Sequence, residues 1–322
     1  MARPQILLTR RWPAAVERRL AESYDATLNA EDRPMSPTEI GAALRTFDAV
    51  CPTVSDALPA EVFAGVPRGR MLGNYGVGVN HIDLDAARAA EVVVSNTPGC
   101  LTDCTADLAL TLMLMLARRA GEGERELRAG RWTGWRPTHL IGTRIGGRVL
   151  GIVGMGRIGR ATARRAEAGF GMKIVYYNRS LPPAEEMAGL DATRLDCIDA
   201  VLEAADIVSL HIPGGGSNRH VIDARRLSLI GPAGMLINTA RGDVVDQAAL
   251  IAALAEGRLG GAGLDVYDGE PSVPAALTLM ENAVLLPHLG SATDRTREAM
   301  GMMVVDNLDA FFSGRDLPNR VA

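Results

Sequence analysis

The chain has 322 residues, of which 47% are hydrophobic and 22% are charged, and its formal net charge is −4. This composition is typical of a folded protein and argues against intrinsic disorder. The length exceeds the size at which one hydrophobic core usually divides, so two domains are expected. The weak negative charge lacks the basic footprint of a nucleic-acid-binding protein, and no nucleic acid is expected as a partner.

The cysteines and the apolar segments predict a cytoplasmic protein without a membrane partner. The four cysteines show no paired metal-binding spacing and no disulfide framework, so no metal site is expected. The most apolar segment, Leu108 to Ala117, is too short to span a bilayer. The first nine residues contain no basic segment followed by a long apolar stretch and therefore predict no secretory signal.

The first third of the chain alternates apolar runs with helix-like segments. The helices are expected from Pro13 to about Tyr24 and from Ser36, where Glu39 stands at capping-box spacing. The apolar runs predict strands at Gln5 to Thr9, Ala49 to Cys51, Met71 to Gly73 and Val92 to Val94. Such alternation predicts a parallel sheet.

A glycine-containing turn follows the third of these strands, from Asn74 to Asp83. Glycines at the carboxyl end of a strand expose backbone N–H groups, and ligands bind at that edge of open α/β sheets. One interpretation is therefore a docking site for a substrate carboxylate. The alternative is an ordinary left-handed turn.

A long apolar helix is predicted from about Thr102 to Arg119, and an arm rich in Gly and Arg follows from Gly121 to Gly147. The helix is apolar on most of its surface and must be buried. The arm is too long for a simple connector and carries Trp132 and Trp135. Two interpretations are open for these aromatics: a contact with another subunit, or ordinary packing.

The stretch from Val149 to Arg179 predicts a strand at Val149 to Val153, a glycine turn, a helix and a second strand at Lys173 to Tyr177. Its three glycines have separate tasks in a dinucleotide-binding unit. Gly154 permits the tight turn, Gly156 lets a pyrophosphate approach the backbone, and Gly159 lets the helix pack closely on its strand. The complete strand–turn–helix–strand context supports a dinucleotide site.

The residues after the second strand favour NADP(H) over NAD(H). Asn178 stands where an NAD-binding unit usually has an acidic residue that binds the ribose 2′-hydroxyl. Arg179 and Ser180 follow, and a guanidinium beside a hydroxyl suits a 2′-phosphate. The alternative is that Arg179 is only a solvated residue after a strand, which leaves NAD(H) as the second cofactor.

Later apolar runs predict a second parallel sheet. The expected strands are Ile207 to Leu210, Met235 to Asn238, Gly263 to Val266 and Val284 to Leu286. Helices are expected between them, including Asp246 to Ala255, and a closing helix is expected from Ala292 to Phe312.

Three polar residues lie just past successive strands of this second sheet: Arg241, Glu270 and His288. The carboxyl ends of parallel strands face one crevice, so these side chains are expected to converge there. Each alone has an ordinary structural explanation, as a surface cation, a turn residue or a satisfied core histidine. Their shared position favours a catalytic set.

The chain resembles the D-isomer-specific 2-hydroxyacid dehydrogenase family in its glycine unit and in three later runs, which follow in this order: NTARG, GLDVYDGEP and PHLGSAT. Within that family it most resembles the glyoxylate/hydroxypyruvate reductases, through the segments YGVGVNHID, RWTGWRP and NRS. The resemblance implies an α/β fold of two doubly wound parallel-sheet domains. A Rossmann-type cofactor domain, residues 100–289, would be inserted into a flavodoxin-like substrate domain, residues 1–99 and 290–322.

The resemblance also implies roles for the polar residues. Arg241 would pair with the carboxylate of a 2-oxoacid substrate, helped by the N–H groups of Val77 and Gly78. His288 would give a proton to the oxygen that becomes the hydroxyl, and Glu270 would orient the imidazole and favour its charged form. In a homodimer, Trp135 would reach the active site of the neighbouring subunit and contact the substrate.

The cofactor-binding residues follow from the glycine unit and from the family motifs. Asp265 would hold the nicotinamide carboxamide, and His211 and Pro213 would flank the adenosine. The full set is Gly154, Met155, Gly156, Arg157, Ile158, Gly159, Asn178, Arg179, Ser180, His211, Pro213, Thr239, Ala240, Asp265, His288 and Gly290.

The sequence is compared with functions other than the reduction of glyoxylate and hydroxypyruvate. The same fold serves enzymes of bulkier oxoacids such as phenylpyruvate or hydroxyphenylpyruvate. The formate-oxidising relatives use an amide where this chain has Glu270 and are therefore disfavoured. A binding protein resembling the C-terminal-binding-protein corepressors is a distant alternative, because fold alone does not establish function.

Overall fold

The computed structural model describes residues 2–65 and 67–322. The chain divides into two compact units. Unit 1 comprises Met1–Leu101 and Ala292–Ala322, and unit 2 comprises Thr102–Ser291. Among the described residues, no helix is both long enough and apolar enough to cross a membrane.

Twelve strands form two sheets in the described chain. Those of unit 1 are β1 (Gln5–Leu8), β2 (Asp25–Leu28), β3 (Ala49–Cys51), β4 (Met71–Gly73) and β5 (Val93–Ser95). Those of unit 2 are β6 (Val149–Val153), β7 (Lys173–Tyr177), β8 (Ala192–Arg194), β9 (Ile207–Leu210), β10 (Met235–Asn238), β11 (Gly261–Leu264) and β12 (Ala283–Leu285).

Twelve α-helices connect the strands. They are α1 (Ala14–Ser23), α2 (Pro37–Thr46), α3 (Leu84–Ala89), α4 (Thr102–Ala117), α5 (Ala120–Arg128), α6 (Arg157–Phe170), α7 (Ala184–Met187), α8 (Ile198–Ala204), α9 (Ala224–Ile230), α10 (Gln247–Ala255), α11 (Ala275–Thr278) and α12 (Asp294–Phe312). Short 3-10 turns cover Ala60–Phe63, Gly216–Asn218 and Gly242–Val244.

Every strand pairing in both sheets is parallel. The sheet of unit 1 has the order β2-β1-β3-β4-β5, which is the flavodoxin-like doubly wound order. The sheet of unit 2 has the order β12-β11-β10-β9-β6-β7-β8, which is the Rossmann order extended by one strand. The predicted fold class, two doubly wound parallel-sheet α/β domains, is confirmed.

Buried apolar residues cover both faces of each sheet. In unit 1, Leu8 and Val304 belong to the cluster on one face, and Leu7 and Ile40 to that on the other. Helix α2 begins with the predicted capping box: the Ser36 hydroxyl accepts from the Glu39 N–H, and the Glu39 carboxylate accepts from the Ser36 N–H at 2.8 Å. These two bonds satisfy N–H groups that a helix start leaves free.

Several predicted bounds differ from the structure by one or two residues. The strand expected at Gly263 to Val266 is β11, Gly261–Leu264, because Asp265 leaves the sheet to accept N–H bonds from Leu289 and Gly290. Helix α4 ends at Ala117 instead of Arg119, which adopts a left-handed φ of 52°.

The topology of unit 2 places its crevice at β6. The chain runs outward from β6 to β7 and β8 on one side, and it continues from β9 to β12 on the other. At such a switch point, the loops that follow the two central strands separate and leave room for a ligand. These are the loops after β6 and β9.

Candidate active site

The glycine loop after β6 has the backbone that its sequence predicts. Gly154 has φ +101°, and a Cβ there would stand 2.7 Å from the His211 carbonyl oxygen. A Cβ on Gly159 would collide with the Gly154 carbonyl, whereas a Cβ on Gly156 would meet no atom within 4 Å. Two glycines are therefore required by close packing, and the third keeps one face of the loop open.

Helix α6 begins directly after this open glycine. Gly156 is its N-cap and offers no side chain to accept from the first turn. The N–H groups of Arg157 and Ile158 are the first of the helix, where no intrahelical acceptor exists. Together with the helix dipole they form a site that favours an anionic phosphate.

Asn178 ties the glycine loop to the residues after β7. Its Oδ1 accepts from the Met155 N–H at 3.0 Å, and its Nδ2 donates to the Ser180 carbonyl at 2.7 Å. Arg179 and Ser180 are exposed beside it. The Arg179 side chain makes no hydrogen bond or ion pair with any residue that the structure describes. The end of β7 therefore presents a cation instead of a carboxylate.

Two further cofactor candidates differ in their surroundings. The Thr239 hydroxyl is buried, with no hydrogen-bond partner among the described residues. His211 lies 2.9 Å from the Ser209 hydroxyl, and burial lowers its pKa to about 3. Its ring is therefore neutral and fixed within unit 2 at neutral pH. Pro213 is exposed two residues further along, and Ala240 is partly buried after β10.

Glu270 and His288 form a direct pair. Glu270 Oε2 lies 2.8 Å from His288 Nδ1, and Glu270 Oε1 accepts from the Tyr267 N–H at 2.9 Å. An ionised carboxylate only accepts, so Nδ1 carries a hydrogen and Nε2 is the remaining ring nitrogen. About a third of each side chain is exposed. The pair is therefore held in one orientation but remains open to a ligand.

The charge of Glu270 results from opposing effects. Burial raises its pKa, but the hydrogen bond and charge of His288, the Tyr267 N–H and the charge of Arg241 together lower it below its usual value. Glu270 is thus ionised at neutral pH.

Arg241 follows β10 and is partly buried. Its Nη1 donates to the Ala240 carbonyl at 2.6 Å. Burial lowers its pKa, whereas the charges of Glu270 and Asp243 raise it. A guanidinium stays protonated under such conditions, so unit 2 holds a desolvated cation in the electrostatic range of Glu270.

Asp265 supports the turn that carries His288. Its Oδ1 accepts from the Leu289 N–H at 2.6 Å, and its Oδ2 accepts from the Gly290 N–H at 2.8 Å. The His288 N–H donates to the Asp265 carbonyl, and His288 has a left-handed φ of 55°. Burial raises the pKa of Asp265, which the two N–H bonds and the charge of His288 oppose.

The structure thus brings together most of the residues predicted for unit 2. Arg241, Asp265 and His288 follow the adjacent strands β10, β11 and β12, and Glu270 reaches back to His288. The open cradle at Gly156, the free helix N-terminus and the unpartnered Thr239 hydroxyl fit a dinucleotide with its phosphates at α6. The supporting contacts of Asn178 and Asp265 were not predicted, since they depend on loop-to-loop hydrogen bonds.

The remaining predicted residues lie elsewhere in the chain. Val77 and Gly78 are partly buried in the loop after β4 of unit 1. Trp135 lies on the irregular arm between α5 and β6, and 82% of it is exposed. Trp132 on the same arm is 51% exposed, so neither indole is buried within the described chain.

Residues 110–290 match the family profile described as D-isomer specific 2-hydroxyacid dehydrogenase, NAD binding domain. The sequence is 40% identical over 324 residues to a glyoxylate reductase of Thermococcus litoralis, covering 99% of this chain and 97% of that protein. It is 36% identical over 323 residues to a glycerate dehydrogenase of Hyphomicrobium methylovorum, covering the whole of both.

A similar solved structure is the NADPH-dependent glyoxylate/hydroxypyruvate reductase of Sinorhizobium meliloti, crystallised with NADP and malonate. Its TM-score with this chain is 0.87 at 38% identity, and the similarity covers 100% of this chain and 97% of that one. Both units are therefore included in the similarity.

Proposed function

Because this chain belongs to the D-isomer-specific 2-hydroxyacid dehydrogenase family, we propose that it reduces glyoxylate and hydroxypyruvate to D-2-hydroxyacids and prefers NADPH. The chain is an NAD(P)-dependent dehydrogenase, and its relatives support small 2-oxoacids as its substrates. The observation that carries the proposal is the Glu270–His288 pair at 2.8 Å, on which the charge of the partly buried Arg241 also acts.

The residues of unit 2 would hold the cofactor. The open glycine loop and the α6 N-terminus would bind the pyrophosphate, and Thr239 would offer its unpartnered hydroxyl. When bound, the reduced nicotinamide supplies the hydride that reaches C2 of the oxoacid.

His288 is the proposed proton donor. Its Nδ1–H is fixed on Glu270, so Nε2 is the nitrogen that would give a proton to the substrate oxygen. The ionised Glu270 carboxylate favours the imidazolium that reduction requires, and Asp265 holds the turn in place. His211 is unsuited to this role because its buried ring is neutral.

Arg241 is the proposed partner of the substrate carboxylate. A guanidinium donates two parallel N–H bonds to a carboxylate, which fixes the orientation of the oxoacid as well as its position. Burial strengthens such a pair because little solvent screens it. Val77 and Gly78 in unit 1 are proposed to add backbone N–H groups to the same carboxylate.

The preference for NADPH is argued from the end of β7. Both groups of the Asn178 amide are engaged within the protein, and an exposed arginine follows it. A 2′-phosphate would meet Arg179 and Ser180 without repulsion from a carboxylate at position 178. The cofactor preference of the Sinorhizobium meliloti reductase supports the same choice.

We also propose that residues 100–289 serve the cofactor, that residues 1–99 and 290–322 serve the substrate, and that the protein is a homodimer. Trp135 is the residue expected to reach the neighbouring subunit, since its indole is the most exposed aromatic on the arm. Aromatic residues are enriched in protein–protein interfaces, which makes this indole a candidate for such a contact.

A steady-state screen tests the proposed function. Glyoxylate, hydroxypyruvate, pyruvate and phenylpyruvate are each assayed with NADPH and with NADH. We expect the highest kcat/KM for glyoxylate or hydroxypyruvate with NADPH. A clear preference for phenylpyruvate would replace the substrate assignment. Negligible turnover of every oxoacid, together with tight NADPH binding, would favour a dinucleotide-sensing binding protein.

A further inference from the structure

The loop after β4 is held from one side by two asparagine side chains. Asn74 Nδ2 donates to the carbonyls of Gly76 and Gly78, at 3.1 Å each. Asn96 Nδ2 donates to the intervening carbonyl of Val77 at 2.8 Å. Three successive carbonyls are therefore engaged by amide groups of the same unit.

The planar trans peptide determines where the N–H groups then point. In such a peptide, the carbonyl of one residue and the N–H of the next point in opposite directions. Drawing the Gly76 and Val77 carbonyls toward the asparagines directs the N–H groups of Val77 and Gly78 to the other side. Neither N–H donates to any residue that the structure describes. Successive N–H groups presented in this way form an anion-binding nest.

A histidine fixes the central asparagine. Carbonyl oxygens cannot donate, so the Asn74 atom that contacts two of them must be the amide nitrogen. The Asn74 Oδ1 then faces His81 Nε2 at 3.1 Å and can only accept. His81 Nε2 therefore carries a hydrogen and donates it. Asn74 is fully buried, and both polar atoms of its side-chain amide have partners within unit 1.

We propose that Asn74, Asn96 and His81 are positioning residues that aim the Val77 and Gly78 N–H groups at the carboxylate of the oxoacid. This inference rests on the proposed function, which assigns that carboxylate to these two N–H groups. An asparagine is required at position 74 because it donates twice and accepts once. The Gly76 carbonyl also accepts from the Thr97 N–H at 3.0 Å, so an aspartate at position 74 would leave the Gly78 carbonyl without its donor. It would also set a negative charge against both carbonyls, beside the nest.

We call Asn74, Asn96 and His81 the relay. If the relay positions the two N–H groups, changes in it should weaken substrate binding and leave cofactor binding unaffected. Asn74→Asp is expected to raise KM for glyoxylate about tenfold or more, as for a lost set of charge-assisted bonds, with little change in KM for NADPH. His81→Leu removes the donor to Asn74 and is expected to act in the same direction. His81→Gln keeps an N–H at a similar reach and is expected to restore KM.

A matched control is available in the same unit. Asn29 Nδ2 also donates to two carbonyls, those of Thr9 and Arg33, in a different loop. Asn29→Asp also replaces an asparagine that donates to two carbonyls, and it is expected to leave KM for glyoxylate unchanged. Thermal unfolding of every variant reports on stability, and the two His81 variants retain the test if Asn74→Asp does not fold.

Titration with oxalate separates this inference from the proposed function, because oxalate presents a carboxylate without being reduced. Weaker oxalate binding by Asn74→Asp and His81→Leu, restored in His81→Gln, supports the relay even if wild-type turnover of oxoacids is negligible. Unchanged oxalate affinity and unchanged glyoxylate KM in folded variants would overturn the relay and leave the reductase assignment intact. A wild type that neither binds oxalate nor reduces any oxoacid would overturn both.

Discussion

The Nδ1 atom of His288 lies 2.8 Å from Oε2 of Glu270, and this contact joins a side chain of the loop after β12 to a side chain of the loop after β11. The other Glu270 oxygen is occupied by the Tyr267 N–H, so the carboxylate cannot rotate without breaking a second bond. His288 is thereby supplied with both an orientation and a neighbouring negative charge.

The first prediction concerns the pH profile of Glu270→Gln. Reduction requires the charged imidazole, which the ionised Glu270 carboxylate stabilises. Glutamine can still accept from Nδ1 but carries no charge, so the loss of reductase activity at alkaline pH is expected to begin at a lower pH. The measurement is kcat/KM for glyoxylate against pH. Glu256→Gln, an exposed glutamate of the same unit, should leave the profile unchanged, and an unmoved profile for Glu270→Gln would contradict the assigned role.

The second prediction concerns Arg241. Replacement by alanine removes a charge-assisted pair with the substrate carboxylate, which corresponds to about 1.5–3 kcal/mol or more of binding free energy. We expect kcat/KM for glyoxylate to fall by at least about tenfold, mainly through KM, while KM for NADPH changes little. Lysine keeps the charge without the planar fork and should rescue only in part. Arg225→Ala, which removes an exposed ion pair with Asp199, serves as the control.

The third prediction concerns cofactor choice. If Arg179 binds the 2′-phosphate, Arg179→Gln should lower kcat/KM with NADPH by about tenfold or more and leave kcat/KM with NADH nearly unchanged. Arg258→Gln, which replaces a partly exposed arginine of unit 2 that is paired with Glu256, should affect neither cofactor. Equal losses with both cofactors would assign Arg179 a structural role, and better use of NADH by the wild type would refute the preference.

The fourth prediction concerns the exposed indole on the arm. Trp135→Ala is expected to alter KM for the oxoacid or the order of substrate preference if the indole reaches a neighbouring active site. Light scattering gives the mass of wild type and variant. Leu279 is also 82% exposed, so Leu279→Ala controls for the loss of an exposed apolar side chain. A monomeric wild type, or unchanged kinetics in Trp135→Ala, would count against the proposed subunit contact.

The sequence identified those parts of the fold that local patterns specify. Strand β6 is mostly buried and appears as an apolar run, and β7 is apolar after its exposed Lys173; the bounds of both were predicted to the residue. The edge strand β2 is only partly buried and therefore shows no such run. Helix α5 buries no residue, and its sequence, AGEGERELR, is mostly charged and contains two glycines.

The candidate site was predictable where a motif names the residue, and it was not where a hydrogen bond joins two loops. Arg241, Glu270 and His288 follow strands whose order can be inferred from the sequence. The Asp265 contacts to Leu289 and Gly290 connect two such loops through the fold. Likewise, nothing local in the sequence indicates that Asn74 donates to both Gly76 and Gly78.

The fifth prediction concerns the capping box at the start of α2. The hydrogen bond and charge of Arg33, together with the bonds from Ser36, lower the pKa of Glu39 to about 2 from its usual 4.5. A carboxyl whose pKa is lower in the folded state stabilises the fold above its unfolded pKa and loses this contribution as the pH falls toward its folded pKa. The contribution is therefore fully present at neutral pH and declines between about pH 4.5 and pH 2.

Glu39→Gln should accordingly lower the melting temperature at pH 7, and the difference from wild type should shrink as the pH is lowered through that window. Glu22→Gln is the matched control, because Glu22 is an exposed helical glutamate without an ion pair to any residue that the structure describes. Melting curves at several pH values measure both differences. If the melting temperature of Glu39→Gln stays below that of the wild type by the same amount throughout this pH window, the charge of Glu39 does not stabilise α2.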